Sequence, residues 1–157
     1  MALLSSRVLY LNLVVFVTTR THLAGIAGVA TITTVDFIVT NQWLNLAEVW
    51  LFYQGIQVNP SSLTFTLSST YPGLPAELCN DGNINTICHS LLDPVATLTI
   101  QTSAPIPVDE ITLVTRQDCC QDRSNGATVV AYNGAAMQWQ TIVPSYSALS
   151  YTFKIGE

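Results

Sequence analysis

Short segments rich in β-branched and aromatic residues recur at roughly even spacing from residue 31 to the end of the chain. In SSLTFTLSS (61–69) apolar and polar residues alternate, which is typical of a β-strand with one buried face. No segment after residue 30 has a convincing helical period. Seven or eight short strands in this length predict an all-β antiparallel sandwich or barrel. The other strand candidates are TITTVDFIVT (31–40), AEVWLFYQGIQV (47–58), ATLTIQT (96–102), DEITLVTR (109–116), ATVVAYN (127–133) and SYTFKIG (150–156).

The segments between these strand candidates are predicted to be turns, because they contain Gly, Pro, Asn or Asp. Two polar clusters, 79–90 and 116–126, also fall between strands and are therefore predicted to be loops. Chemistry in a β-sandwich normally lies on such loops. The predicted turns are NQWLN (41–45), TYPGLP (70–75), DPV (93–95), APIPVD (104–109), RSNGA (123–127) and YNGAAM (132–137).

The charge of the chain restricts what it can bind. Its 157 residues fit one domain, about half of them are apolar, and only a tenth are charged, which excludes a disordered chain. Five basic residues against ten acidic ones give a formal charge of −5. A nucleic-acid site needs clustered Lys and Arg, so we expect no nucleic-acid partner.

The first thirty residues differ from the rest. Arg7 precedes an apolar run, 8–17, and a small-residue stretch ends at Ala30. We interpret 1–30 as a signal peptide or N-terminal extension, with 31–157 as the β domain. The alternatives are a first buried strand or upstream sequence translated by a wrong gene model. The run is too short for a stable membrane span, and a signal with four cysteines predicts a secreted or extracellular-surface protein.

The cysteines allow three complete pairings, and sequence spacing does not choose among them. Cys119 and Cys120 could bond to each other, which would give a strained ring with a flat sulfur surface, or each could pair elsewhere. Cys79 and Cys88 would close a loop of their own around NDGNINTI. Zinc binding is the weaker interpretation, since no CxxC pair is present.

Charged groups concentrate in RQDCCQDR (116–123). The guanidinium groups of Arg116 and Arg123 donate paired hydrogen bonds that suit a sugar or a carboxylate, and Asp118 and Asp122 could orient them. His89, from the other cluster, could add a donor or an acceptor. The alternative is an arginine–aspartate lattice that only ties the loops together.

The segment CNDGN suggests a hard cation. Asp81 and Asn83 place two oxygen-bearing side chains around Gly82, and calcium is bound by carboxylate, amide and backbone oxygens. An ordinary Asx turn is the alternative.

From about residue 31 the chain resembles the F-type lectin (fucolectin) family of the discoidin or galactose-binding-like superfamily. The fucose motif of that family is a His, 26 residues, Arg-x-Asp, four residues and a basic residue. Here His89 is followed by residues 90–115, then Arg116, Gln117, Asp118, residues 119–122 and Arg123. Adjacent cysteines between the two arginines and the segment LCNDGN are also similar to the family.

The resemblance implies a jelly-roll β-sandwich that binds fucosylated or similar glycans. By that likeness His89, Arg116 and Arg123 hydrogen-bond the sugar, Asp118 holds the loop, and a Cys119–Cys120 disulfide meets the apolar face of the sugar. Structural Ca²⁺ is expected to brace the loops. Family lectins usually carry a later cysteine that pairs back to the site, whereas this chain ends in KIGE, so Cys79 and Cys88 are expected to pair with each other or stay free. The implied calcium ligands are Leu78, Asp81, Asn83, Thr86 and Glu157.

Three functions follow from these residues. The first is a non-catalytic lectin domain for terminal L-fucose or a similar sugar, used in several copies as a homo-oligomer or multidomain assembly. The second is a structural discoidin-like module of a cell-surface, fibre or virion protein. An enzyme is the third and least favoured, because Asp118 and Asp122 lie beside arginines, which lower carboxyl pKa values and so prevent general-acid catalysis.

Overall fold

The computed structural model describes residues 28–156, and it places them in an all-β fold of two antiparallel sheets. The predicted all-β, antiparallel sandwich is therefore confirmed. The predicted extension 1–30 lies outside the described residues apart from its last three positions, and Ala30 already begins the first strand. Three short 3₁₀ helices, Pro60–Ser62, Ala76–Cys79 and Gln121–Ser124, interrupt the loops. The strands are β1 (Ala30–Leu46), β2 (Glu48–Tyr53), β3 (Ile56–Gln57), β4 (Leu63–Leu67), β5 (Cys88–Val108), β6 (Glu110–Val114), β7 (Thr128–Asn133), β8 (Ala136–Ile142) and β9 (Ser150–Lys154).

The two sheets have the orders β4-β5-β1-β7-β8 and β3-β2-β6-β9. Apolar side chains from alternate positions of each sheet meet in a single core. In β1, for example, Val35, Phe37 and Val39 are buried while their neighbours are partly exposed. Each fully buried aliphatic or aromatic side chain stabilises the fold by about 1.5–3 kcal/mol. The other sheet contributes mainly Val49, Leu51, Ile111 and Leu113.

Three predicted turns are wrong. NQWLN (41–45) lies inside β1, and DPV (93–95) and most of APIPVD (104–109) lie inside β5. β1 and β5 pair almost continuously, from Ala30 opposite Val108 to Leu46 opposite Cys88. The ladder hydrogen bonds outweigh the local turn preference of these residues, and two register shifts absorb the irregularity.

The chain passes from the five-stranded to the four-stranded sheet at Ala47, between β1 and β2. At this point Leu46 pairs with Cys88, the first residue of β5, and Glu48 pairs with Val114, the last residue of β6. The loops before β5 and after β6 therefore leave the sandwich at the same end. The sheet topology thus brings together the two polar clusters that are about 30 residues apart in the sequence.

Candidate functional site

His89 is the buried member of the site. It was predicted on a loop, which is wrong: residues 88–90 form the start of β5, and His89 is only 7% exposed. Its Nδ1 lies 2.6 Å from the carbonyl oxygen of Ser90. A carbonyl can only accept, so Nδ1 carries the proton and Nε2 presents a lone pair. That lone pair faces Nη1 of Arg123 at 3.3 Å.

Burial lowers the pKa of His89, and the positive charges of Arg123 and Arg116 lower it further. The hydrogen bond to the Ser90 carbonyl acts in the opposite direction and does not reverse the shift. The imidazole is therefore neutral at pH 7, and Nε2 is a hydrogen-bond acceptor. Of the two arginines, Arg123 is the one whose guanidinium contacts the ring of His89.

Arg123 lies on the 3₁₀ turn Gln121–Ser124, and its guanidinium carbon is 4.9 Å from the centre of the Trp43 ring. This cation–π contact holds the guanidinium in place over the aromatic ring. Trp43 is a site residue that sequence reasoning missed, because NQWLN was interpreted as a turn. Asp122, on the same turn, is exposed.

Arg116 and Asp118 form a two-point ion pair just beyond β6. Nε of Arg116 donates to one carboxylate oxygen of Asp118 at 2.5 Å, and Nη2 donates to the other at 2.9 Å. The hydrogen bond from Arg116 lowers the pKa of Asp118 to about 2. Asp118 is therefore ionised throughout the physiological range. The pair leaves Nη1 of Arg116 outside it, so Asp118 orients the guanidinium without using all of its donors.

Disulfide bonds are present, as predicted, and one joins the adjacent residues Cys119 and Cys120. Both cysteines are half-buried, and Cys120 has a φ of 63°, in the left-handed region that non-glycine residues rarely adopt. Backbone strain of this kind persists where the surroundings hold it, commonly at functional sites. The disulfide lies between the two arginines in sequence and fixes the start of the 3₁₀ turn that carries Arg123.

The second disulfide joins Cys79 and Cys88, and both sulfur-bearing side chains are fully buried in the core. It closes the loop 80–87 and anchors the residue that precedes His89. The start of β5, which carries His89, is thus tied covalently to the 3₁₀ helix Ala76–Cys79.

Oxygen atoms converge within the loop 80–87. Asp81 accepts hydrogen bonds from the Asn83 backbone N–H at 2.8 Å and from the Thr86 hydroxyl at 2.8 Å. The Thr86 hydroxyl also lies 2.7 Å from the carbonyl oxygen of Asn83. The side-chain oxygen of Asn83 instead accepts from Asn85. Leu78 lies in the preceding 3₁₀ helix and is not joined to this cluster by these bonds.

Glu48, the first residue of β2, is the acidic residue that sequence reasoning missed. It is 1% exposed, and its Oε1 accepts from the Asn83 N–H at 2.9 Å, so it shares that donor with Asp81. Burial and the neighbouring Asp81 raise the pKa of Glu48 to about 7. Partial burial acts to raise the pKa of Asp81 as well, but its hydrogen bonds from Thr86 and Asn83 lower it. The detectable signal in the sequence was a lone Glu at the start of the apolar run VWLFY.

The donor set around Asp81 fits calcium better than a transition metal. It consists of two carboxylates, a hydroxyl and a backbone carbonyl, which are the oxygen ligands that calcium prefers. Within the described residues Glu48 takes part in neither ion pair, since these join Arg116 to Asp118 and Lys154 to Glu110. Within residues 28–156 no group of three or more His, Cys, Asp or Glu side chains is arranged to hold a metal. Glu157, the remaining predicted ligand, lies outside the described residues.

Two further side chains border His89. Asn45 pairs directly opposite it on β1, so both project from the same face of the sheet. Asn45 is 2% exposed, and its Nδ2 has no hydrogen-bond partner in the described part of the chain. Tyr71 is half-exposed, with its ring centre 5.3 Å from that of His89. Both lie outside the sequence motif, so spacing alone did not identify them.

No helix in residues 28–156 is long and apolar enough to cross a membrane. Comparison with known proteins found no family model, no curated protein and no solved structure that matches this chain.

Proposed function

We propose that this chain is a non-catalytic carbohydrate-binding domain for terminal L-fucose or a similar sugar. One observation carries the proposal: the acceptor Nε2 of His89 lies beside the guanidinium group of Arg123, at the end of the sandwich from which the segment of Arg116 also leaves. A sugar hydroxyl both donates and accepts, so it can donate to Nε2 and accept from an arginine at the same time. Nη1 of Arg123 faces Nε2 at 3.3 Å, so a hydroxyl that donates to Nε2 takes the place of this long contact.

The other groups of the site support the same ligand. Asp118 holds the guanidinium of Arg116, and the ring of Trp43 supports that of Arg123. The Cys119–Cys120 disulfide offers an apolar surface for the C–H face of a pyranose. Asp118, with a pKa of about 2, cannot deliver a proton at neutral pH. The arrangement therefore suits binding, and tight attachment to a surface would come from several copies.

A structural Ca²⁺ is part of this proposal. Asp81, Glu48, the carbonyl of Asn83 and the hydroxyl of Thr86 would hold it. When bound, the ion supplies the positive charge that two neighbouring carboxylates require. Glu48 and Asp81 belong to β2 and the loop 80–87, so holding one ion in common fixes that loop to the sandwich.

The direct test is calorimetric titration of the full chain with L-fucose in the presence of calcium, beside D-fucose as the mirror-image control. We expect saturable binding of L-fucose that Arg116→Ala abolishes. Absence of binding by a folded, calcium-loaded chain would reject the proposal and favour a structural module that retains the motif as scaffold.

The affinity for L-fucose is expected to decrease as the pH falls through the pKa of His89, which burial holds below the ordinary imidazole value of about 6.5. Protonation of His89 removes the acceptor and adds a third positive charge beside two arginines. Because folding lowers this pKa, the unfolded chain takes up the proton first, and stability is also lost as pH falls through this range. Titrations from pH 5 to 8 test this, and His89→Gln should be flat over the same range; a wild-type profile equally flat would contradict it.

Glu48→Gln is expected to weaken calcium binding about tenfold or more, because it removes one of two anionic ligands. Calcium should raise the melting temperature of the wild type and have a much smaller effect on the variant. Glu77→Gln, an exposed acidic residue near the same loop, is the matched control. Equal calcium shifts in the wild type and in Glu48→Gln would exclude Glu48 as a ligand.

Calcium affinity should also rise with pH through about 7. Folding without a cation favours protonated Glu48, whose pKa is raised to about 7, so calcium must displace that proton. Calorimetry in buffers of different ionisation enthalpy would measure the proton release. The release should disappear in Glu48→Gln.

A further inference from the structure

The sandwich has four edge strands, β4 and β8 in one sheet and β3 and β9 in the other. An edge strand presents unpaired N–H and C=O groups, so it can pair with another chain unless something prevents this. β3 has only two residues, and β9 ends in a lysine, Lys154. The 3₁₀ helix Ala76–Cys79 contacts β4, and Asn80 after it donates to the carbonyl of Pro60 before β4 at 2.9 Å. β8, with seven residues, is the longest of the four and has no such protection among the described residues.

β8 also lies in an uncharged part of the chain. Residues 124–153, which form β7, β8 and most of β9, contain no Asp, Glu, Lys, Arg or His. The formal charge of −5 is carried by the rest of the chain. Two copies would therefore repel each other elsewhere on their surfaces but not along this edge. The uncharged segment includes four large apolar side chains that are more than half exposed, Met137, Ile142, Tyr146 and Leu149.

The regular part of this edge is self-complementary. A register shift against β7 falls between Met137 and Trp139, so regular pairing covers residues 139–142. Trp139 and Thr141 are half-buried on the core side, whereas Gln140 and Ile142 are exposed on the outer face. In an antiparallel pair centred on Gln140, Trp139 of each copy lies opposite Thr141 of the other, and an aromatic residue opposite a β-branched one stabilises a sheet. The two Gln140 amides then lie opposite each other, and an amide both donates and accepts.

We infer that β8 is a surface through which two copies of this chain pair, antiparallel and about a two-fold axis at Gln140. The pairing extends each five-stranded sheet into that of the other copy. Such an interface is isologous, since the same residues contribute from both sides. A second copy is the occupant that these features favour, because the strand supplies its own complementary partner and carries no charge that would meet a like charge across the axis.

The direction of β8 decides where the pair places its sugar sites. The C-terminal end of β8 is level with Ile38 of β1, through Thr128, and its N-terminal end is level with Thr34, through Tyr132. β1 continues from Ile38 toward the proposed sugar site, so the C-terminal end of β8 is the nearer one. Antiparallel pairing points these ends in opposite directions. The pair thus holds two sites at opposite ends and bridges two glycan-bearing surfaces, a consequence that rests on the proposed function.

Sedimentation velocity of the full chain with calcium, over a concentration series, measures the pairing without any sugar. We expect a monomer–dimer equilibrium with a Kd on the order of 10 μM, because a small interface lies at the weak end of the range. Gln140→Lys and Gln140→Glu should each weaken pairing about 100-fold, since like charges would face each other across the axis. Gln101→Lys places a charge at an exposed position of β5 on the same face of the sheet, and this matched control should pair like the wild type.

Two further measurements test the symmetry and its consequence. An equal mixture of Gln140→Lys and Gln140→Glu chains should pair again, because opposite charges then meet at the axis. This rescue also shows that both variants are folded. With beads coated with L-fucose, the wild type should cross-link them, whereas Gln140→Lys should bind to them without cross-linking.

The outcomes separate the pairing from the proposed function. A wild type that stays monomeric would overturn pairing between copies and leave the edge to a strand of another protein. Equal weakening in Gln101→Lys, or a mixture that fails to pair, would overturn the axis at Gln140. A dimeric wild type that does not bind the beads would reject the proposed function alone. A dimer that binds the beads without cross-linking them would overturn the placement of the sites at opposite ends.

Discussion

Replacing Arg123 with alanine is expected to reduce the affinity for L-fucose about 100-fold, to a level that ordinary calorimetry does not detect. A hydrogen bond from a charged group contributes about 1.5–3 kcal/mol, and the fork of Arg123 can donate more than one. The variant also loses the group that faces Nε2 of His89 and the cation–π contact with Trp43. Stability should change little, since Arg123 is half-buried at a loop.

Two variants give this result its meaning. Arg123→Lys keeps the charge but loses the planar fork, so we expect an affinity between those of the wild type and the alanine variant. Lys154→Ala removes a positive charge on β9 and should bind L-fucose normally. Comparable losses in Lys154→Ala and Arg123→Ala would indicate that overall charge, rather than the fork of Arg123, governs binding.

Removing the Cys79–Cys88 disulfide with a double alanine variant is expected to lower the free energy of unfolding by about 3 kcal/mol. The bond restricts a short loop in the unfolded chain, and both side chains are fully buried. The loop 80–87 also loses its anchor, so calcium binding should weaken. Urea unfolding with and without calcium measures both effects.

The Cys119–Cys120 disulfide provides the contrast. It closes no loop of consequence, because the residues are adjacent, and both are half-buried. The corresponding double alanine variant should therefore unfold near the wild-type urea concentration while its affinity for L-fucose falls. If the two double variants lost stability equally, the division into one structural and one binding disulfide would be wrong.

The alternation of apolar and polar residues was sufficient to predict the all-β fold but not the lengths of its strands. Pro94, Pro105 and Pro107 made parts of β5 resemble turns. The strand β4 pairs with β5 only along residues 98–102, and the three prolines lie outside that stretch. Proline has no N–H to donate, and it is tolerated here because β4 does not pair with β5 at these positions. β8 was not predicted, because most of its side chains are exposed and it depends on pairing with β7. Such pairings join distant residues and leave no local signal.

The sequence motif identified residues that the fold brings together, but not those that support them. His89 and Arg123 lie 34 positions apart and come within 3.3 Å. Trp43 and Glu48 lie about 40 residues before the motif, and only the pairing of β1 and β2 with β5 and β6 brings them beside it. Their roles depend on burial and on neighbours from other strands, which spacing along the chain does not encode.

Because the chain crosses between the sheets at Ala47, we expect the two proposed binding events to be thermodynamically linked. Asn45, opposite His89, and Glu48, beside Asp81, are separated by only two residues, so the backbone positions of one constrain the other. Linkage is reciprocal: if calcium tightens sugar binding by some factor, sugar must tighten calcium binding by the same factor. A chain that meets glycan where calcium is scarce would then hold its ion more firmly once the glycan is bound.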